Sequence, residues 1–271
     1  MNNSANVLKT ESLHAFYNSR QILKEINLSL NPGEFVCLSG PNGSGKSTLM
    51  SLLAGTNSEQ LKFKGTVFID KKNILEFKKK ELAKKLTYMP QTENSPWNYL
   101  VKDIILFGRF PHTSFTGVYH PTDYDIVAQT AETLGISHLL NRQVFSLSGG
   151  EFQRVRIARA LAQEAKILLL DEPAANLDFV IRFELLKLVK KLAKEKKLSV
   201  LVSIHDINLA AVFADKLMLL SAFSEEKNIG EQLFQGSPHE ILTPEILFNV
   251  YNRNFGTFIH PEYKCINIFA K

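Results

Sequence analysis

The feature that most constrains the fold of this chain is the segment 40–47, which reads Gly-Pro-Asn-Gly-Ser-Gly-Lys-Ser. Apolar and small residues at 34–39 predict a buried strand before it, and residues 46–53 predict the start of a helix after it. Glycines let the backbone turn tightly and point several N–H groups at one anion, and the helix dipole reinforces that field. This order of strand, glycine-rich turn and helix predicts a phosphate-binding loop in an α/β fold.

The residue types in this loop assign roles to two side chains. The Lys46 ammonium would reach the β- and γ-phosphates of a nucleotide, and the Ser47 hydroxyl would be a ligand of Mg²⁺. The alternative is a chance glycine-rich turn, which the flanking strand and helix argue against. The residues predicted here to bind the nucleotide are Gly40, Pro41, Asn42, Gly43, Ser44, Gly45, Lys46, Ser47 and Thr48.

A pair of acids follows a second apolar segment. Residues 167–170 predict a strand buried on both faces, and Asp171, Glu172 and Pro173 come directly after it. At the carboxyl edge of a parallel sheet, Asp171 would hold Mg²⁺ and Glu172 would polarise or deprotonate the attacking water. Neighbouring residues in a strand point to opposite faces, so two roles at one site require the chain to bend here. The alternative is an ordinary strand end with solvated acids.

A third segment connects this chain to a family. Residues 147–151 read Leu-Ser-Gly-Gly-Glu and lead into a predicted helix over 150–164. Together with the phosphate loop, they make the chain resemble the ATP-binding cassette (ABC) ATPases over nearly its whole length. The resemblance implies Mg²⁺-dependent ATP hydrolysis by a P-loop nucleotide-binding domain, an α/β fold with a RecA-like parallel-sheet core, an antiparallel β subdomain and a helical subdomain.

The resemblance also implies roles for single residues. Gln91 resembles the glutamine that senses Mg²⁺ and the water, Asp178 the acid of the D-loop, and His205 the histidine that contacts the γ-phosphate. Tyr17 resembles the aromatic residue that stacks on adenine; the alternatives are a plain strand aromatic, or Phe16 on the opposite face.

In this family the signature residues Ser148, Gly149 and Gly150 bind the γ-phosphate held by the other subunit's loop. One chain carries one loop and one signature, so two composite sites need two copies. The resemblance therefore implies a head-to-tail homodimer with ATP between the subunits, closed by ATP and opened by hydrolysis.

Composition bounds the class of protein. The 271 residues are 45% hydrophobic and 22% charged, which is typical of a globular domain, and no apolar run is long enough for a membrane span. Residues 1–6 lack the regions of a signal peptide, and two cysteines fit a reducing compartment. The net charge of +5 comes from lysine clusters, interpreted as solvated helix faces or as attraction to anionic lipid. No aromatic residues interleave with them, so nucleic acid is not an expected partner.

The order of predicted elements indicates a single domain over 1–271. Residues 1–91 and 164–271 would form the β subdomain and core, with 92–163 as the helical subdomain. We expect strands at 7–14, 22–30, 65–70, 166–171, 198–204, 215–221, 255–260 and 264–269, and helices at 101–107, 122–135, 150–164, 179–196, 206–213 and 237–253. The alternation of strands and helices after residue 164 predicts a parallel sheet with right-handed crossovers.

The segment 108–112, Gly-Arg-Phe-Pro-His, resembles ATPase subunits of importers for ferric siderophores, haem and vitamin B12. That implies membrane permease subunits as partners, an external substrate-binding protein acting indirectly, and a peripheral position on the cytoplasmic face of the inner membrane. Alternatively, Arg109 and His112 merely cap a helix over 101–107. Alternative functions are an ATPase for another cargo such as a metal ion, a cassette protein acting on nucleic acid, and a nucleotide-binding regulator.

Several positions depart from the family pattern. Phe152 replaces a polar residue in the signature helix, Ala174 stands where threonine is common, and residues 223–229 form a longer polar loop. Trp97, the single tryptophan, is either a core residue or a contact for the permease. We expect the contact.

Overall fold

The computed structural model describes residues 7–56, 60–93, 98–114, 117–175, 177–223 and 232–271. Trp97 and residues 224–229 lie outside this part of the chain. Its strands are β1 Leu8–Tyr17, β2 Arg20–Ile26, β3 Ser29–Leu30, β4 Phe35–Ser39, β5 Leu61–Ile69, β6 Lys72–Asn73, β7 Leu86–Met89, β8 Ile167–Leu170, β9 Ser199–Ser203, β10 Lys216–Leu220, β11 Leu233–Gly236, β12 Phe255–Ile259 and β13 Ile266–Ala270. Its α-helices are α1 Lys46–Leu53, α2 Lys79–Ala83, α3 Val101–Phe107, α4 Pro121–Thr133, α5 Gly149–Ala162, α6 Phe179–Lys196, α7 Ile207–Phe213, α8 Pro238–Ile241 and α9 Pro244–Tyr251.

The central sheet carries its strands in the order β11-β10-β4-β9-β8-β7. Strands β10, β4, β9, β8 and β7 are parallel, and β11 is an antiparallel edge strand that the sequence did not indicate. Alternate residues of β8 pack into two separate hydrophobic clusters, Leu168 and Leu170 in one, Ile167 and Leu169 in the other. Both faces of the sheet are buried, which confirms the parallel-sheet core predicted from the apolar run.

An antiparallel sheet lies over one face of this core. Its order is β2-β1-β5-β6, with β3 paired to β1, and β5 begins four residues earlier than the predicted 65–70. Leu13 of β1 and Leu23 of β2 share a hydrophobic cluster with Leu49 and Met50 of α1. The helix that follows the phosphate loop is therefore packed between the two sheets.

Helices α3, α4 and α5 form a separate layer within the segment 92–163. Val101 and Ile105 of α3, Val127 of α4 and Val155 of α5 are buried against one another in the larger cluster. Among the described residues, no helix combines the length and the apolar character that crossing a membrane requires.

The C-terminal part differs from the prediction in one respect. The single helix expected over 237–253 is two short helices, because Pro244 disfavours helical geometry in the preceding Thr243 and α9 starts anew there. The strands expected at 255–260 and 264–269 are confirmed as the hairpin of β12 and β13. Asn208 of α7 ties this hairpin to the core, since its side chain both donates to and accepts from the backbone of Ile268, at 3.1 and 2.7 Å.

Candidate functional site

The phosphate loop connects β4 to α1, as the sequence predicts, and two of its glycines are sterically required. Gly40 has a φ of +152°, and a Cβ there would lie 2.1 Å from the Leu220 carbonyl oxygen. Gly45, the N-cap of α1, has a φ of +98°, and a Cβ there would lie 2.9 Å from Leu23 Cδ2. The loop thus keeps its turn only with glycine at both positions.

Polar groups at this loop suit an anion. Lys46 is 6% exposed, and its ammonium donates to the carbonyl oxygens of Gly40 and Pro41, at 2.9 and 3.0 Å. Burial lowers the pKa of Lys46, while the charges of Glu172 and Asp171 act in the opposite direction. The buried Ser44 Oγ has no hydrogen-bond partner among the described residues. An unpaired hydroxyl, a buried ammonium and a helix N-terminus together fit a bound phosphate chain.

Three of the predicted catalytic residues meet at the end of β8. Gln91 Nε2 donates to Glu172 Oε2 at 2.7 Å, and His205 Nε2 lies 2.6 Å from Glu172 Oε1. The Glu172 side chain is 8% exposed, whereas that of His205 is 46% exposed. An adjoining cavity of about 310 Å³ is lined by these residues together with Arg182. A buried carboxylate held between an amide and an imidazole beside an open cavity is arranged to orient a water molecule.

The chain bends at the acid pair, as two roles for neighbouring residues require. Strand β8 ends at Leu170, and Glu172 has a φ of +48°. Asp171, 1% exposed, accepts a hydrogen bond of 2.6 Å from Ser203 Oγ. Sequence reasoning missed Ser203; the signal that could have found it is a serine within the otherwise apolar run of residues 200–204.

The signature residues lie at the exposed start of α5. Ser148 is its N-cap, and its side chain forms a capping box with Glu151. A Cβ at Gly150 would lie 3.4 Å from Ile181 Cγ2, which places the start of α5 beside that of α6. Phe152 packs against the larger hydrophobic cluster of its own chain.

Asp178 and Tyr17 each lie at the end of a secondary-structure element. Asp178 is the N-cap of α6 and accepts from Ile181 N–H at 3.0 Å. Tyr17 is the last residue of β1 and is 39% exposed, so its ring is available to a ligand. Among the other predicted residues of the loop, Ser47 is exposed and Thr48 is partly buried.

An ion-pair cluster that the sequence did not indicate ties α5 to the segment carrying Gln91. The Arg156 side chain is 3% exposed and donates to the carbonyl oxygens of Pro90 and Gln91. Both Arg156 and Arg159 pair with Glu93. Burial acts to raise the pKa of Glu93, but the hydrogen bonds and charges of the two arginines outweigh it and hold that pKa below its usual range. The position of the signature helix is thereby coupled to the backbone at Gln91.

The segment 108–112 holds the other end of the same helix. Arg109 Nη1 donates to the Ala162 carbonyl oxygen at 2.7 Å, and His112 Nε2 lies 2.9 Å from that of Gln163. Arg109 and His112 therefore cap the C-terminus of α5. The alternative that they cap the helix over 101–107 is wrong, because their side chains bind carbonyl oxygens at the end of α5. Gly108 has to be glycine, because a Cβ there would lie 2.2 Å from the Arg159 carbonyl oxygen.

Known proteins resemble this chain in sequence and in overall structure. Residues 23–175 match the family model described as ABC transporter. The chain is 36% identical to the iron(3+)-hydroxamate import ATP-binding protein FhuC of Bacillus subtilis, covering 91% of this chain and 88% of that protein. It is also 36% identical to the hemin import ATP-binding protein HmuV of Pseudomonas aeruginosa, covering 94% and 96%. A metal-chelate type ABC transporter solved in an inward-facing conformation superposes with a TM-score of 0.81 at 28% identity, covering 98% of both chains.

Proposed function

Because this chain belongs to the ABC transporter family, whose ATP-binding subunits couple ATP hydrolysis to transport, we propose that it energises an importer for a ferric siderophore, haem or vitamin B12. The observation that carries the proposal is Glu172 held between Gln91 and His205. The names of the relatives and the Gly-Arg-Phe-Pro-His segment favour that class of cargo.

The proposed chemistry follows from the positions of these groups. The phosphate loop and Lys46 bind the β- and γ-phosphates, and Tyr17 stacks on the adenine. Glu172 accepts the proton of the attacking water, Gln91 orients that water, and His205 turns from Glu172 to the γ-phosphate. Bound Mg²⁺ would neutralise phosphate charge, and the oxygens of Ser47, Gln91 and Asp171 would hold it, which suits the preference of this ion for oxygen ligands.

Two copies of the chain would complete the site. The exposed start of α5 at Ser148 and Gly149 supports binding of the γ-phosphate held by a second subunit, with Asp178 nearby at the start of α6. ATP then joins the subunits and hydrolysis separates them, which drives the permease through its gating motion. The partners are a homodimer mate and permease subunits, with an external binding protein delivering the cargo. The chain would sit on the cytoplasmic face of the inner membrane.

The catalytic assignment is tested with Glu172→Gln. We expect kcat to fall at least about a hundredfold, as for the loss of a general base. ATP affinity, measured by equilibrium titration, should stay within a few fold. Light scattering at saturating Mg-ATP should detect a dimer, and a protein that remains monomeric there would contradict the proposed sandwich. Glu184→Gln, which changes an exposed carboxylate on α6, serves as the matched control.

The transport assignment is tested by purifying the tagged chain from gently solubilised membranes. We expect a permease to co-purify and to support uptake of a ferric siderophore, haem or vitamin B12 in proteoliposomes. That uptake should stop when the Glu172→Gln subunit replaces the parent. Uptake of free manganese or zinc would instead support the metal-ion alternative. Recovery without any permease, bound to nucleic acid, would overturn the transport assignment and leave the ATP chemistry intact.

A further inference from the structure

Ser203 lies at a point where it contacts both acids at once. It is the last residue of β9 and is fully buried. Its Oγ donates to Asp171 Oδ1 at 2.6 Å and accepts from the Glu172 backbone N–H at 2.8 Å. One hydroxyl therefore donates a hydrogen bond to the Asp171 carboxylate and accepts one from the backbone of Glu172.

The backbone at this point needs such a partner. On the β7 side, Asp171 N–H still donates to the Met89 carbonyl oxygen at 2.8 Å. The ladder between β8 and β9 ends at Leu170, so the Glu172 N–H lies beyond it, and the φ of +48° at Glu172 then turns the chain out of strand geometry. A buried N–H without a partner is costly, and Ser203 Oγ supplies the acceptor. The hydroxyl thus stabilises the bend that turns Glu172 toward Gln91 and His205.

The second contact fixes the other acid. Asp171 is 1% exposed, and a hydroxyl that donates to a buried carboxylate forms a short, charge-assisted hydrogen bond. That bond restricts the rotation of the Asp171 carboxyl group. Ser203 therefore contacts the two acids in different ways, Asp171 through its carboxylate and Glu172 through its backbone N–H.

We propose that Ser203 is a positioning residue for ATP hydrolysis that sets the orientation of Asp171 and of Glu172 through one hydroxyl. The inference rests on the functions proposed above for those two acids. If Ser203 has this role, ATP binding by the phosphate loop does not depend on Ser203. The effect of Mg²⁺ on ATP binding and the rate of hydrolysis both depend on Ser203.

The test compares Ser203→Ala with Ser203→Thr, which keeps the hydroxyl. Ser199→Ala is the matched control, because Ser199 is on the same strand, is 2% exposed and also accepts a backbone N–H, that of Gly33 at 3.0 Å. We measure kcat and KM, ATP binding by titration with Mg²⁺ and with EDTA, and thermal unfolding by circular dichroism.

We expect Ser203→Ala to lower kcat about ten- to a hundredfold, the loss that corresponds to a hydrogen bond to a charged group. ATP affinity in EDTA should stay within about twofold of the parent. The gain in ATP affinity on adding Mg²⁺ should shrink by about the same factor as kcat, ten- to a hundredfold. Ser203→Thr should recover most of the rate, and Ser199→Ala should keep it even where its melting temperature falls.

The proposal is overturned if Ser203→Ala keeps both kcat and the effect of Mg²⁺ on ATP binding. It is equally overturned if Ser199→Ala loses as much activity as Ser203→Ala at the same loss of stability. A failure of the proposed function gives a different pattern, in which Glu172→Gln hydrolyses ATP at the parental rate.

Discussion

Replacing Arg109 with methionine should destabilise the chain by about 3–5 kcal/mol, the cost of removing one partner from a buried ion pair. Arg109 and Asp123 are 6% and 3% exposed, and Arg109 Nε donates to Asp123 Oδ1 at 2.8 Å. Methionine fills a similar space but leaves the Asp123 charge and the Ala162 carbonyl oxygen without this donor. The contact with Glu164, whose side chain is 55% exposed, adds little because solvent screens it.

Urea unfolding of Arg109→Met, Asp123→Asn and the double variant measures this coupling. Arg109→Met leaves the buried Asp123 without its counter-charge, and Asp123→Asn leaves Arg109 with only the exposed Glu164; the double change removes both buried charges. The double variant should therefore lose less free energy of unfolding than the sum of the two single losses. Lys191→Met, in an exposed pair with Glu195, is the control and should cost at most about 0.5 kcal/mol.

The same pair predicts a pH dependence. Burial acts to raise the pKa of Asp123, but hydrogen bonds from Arg109 and from the His120 N–H outweigh it and hold that pKa below its usual range. A depressed carboxyl pKa contributes stability that is present above the unfolded value, near pH 4, and is lost as pH falls through the folded value. The difference between parent and Arg109→Met should shrink below about pH 4. A loss under about 1 kcal/mol at neutral pH, or one that does not change with pH, would refute the reasoning.

Three further changes test other parts of the structure. Gly108→Ala should cost about 1–3 kcal/mol in urea unfolding because its Cβ meets a carbonyl of α5, and an unaltered midpoint would contradict that close approach. Arg156→Met removes the donors to the backbone before Glu93, so amide hydrogen exchange at residues 91–93 should accelerate; unchanged exchange would show that the guanidinium does not hold this segment. Tyr17→Ala should weaken ATP binding by about 1–3 kcal/mol, the value of base stacking, whereas Phe16→Ala should not, and the reverse result would assign the stacking to Phe16.

The sequence predicted the fold well where local chemistry decides the structure. The glycines of the phosphate loop, the apolar run of β8 and the bend at Asp171 and Glu172 each follow from the residues themselves, and the structure has all three. The sequence also indicated the residues that meet around Glu172, because they end neighbouring parallel strands or follow them directly.

What the sequence did not give depends on contacts between distant segments. The cations at Arg109 and His112 do interact with a helix C-terminus, but the helix they cap ends fifty residues further on, at Ala162. Ser203 and the pairing of Arg156 with Glu93 likewise join segments far apart in the chain. Periodicity and local spacing carry no information on such pairs. The break at Pro244, by contrast, is a local effect that the residue type itself indicates.

The position of β4 in the central sheet has a consequence for synthesis of the chain. Val36 of β4 pairs with Leu201 on one side and with Lys216 on the other. A nascent chain therefore carries an apolar strand and its phosphate loop long before either neighbour exists. At translation rates of about 5–20 residues per second, the interval lasts roughly ten to forty seconds. The two apolar edges of β4 consequently stay open to chaperones until much of the chain has been translated.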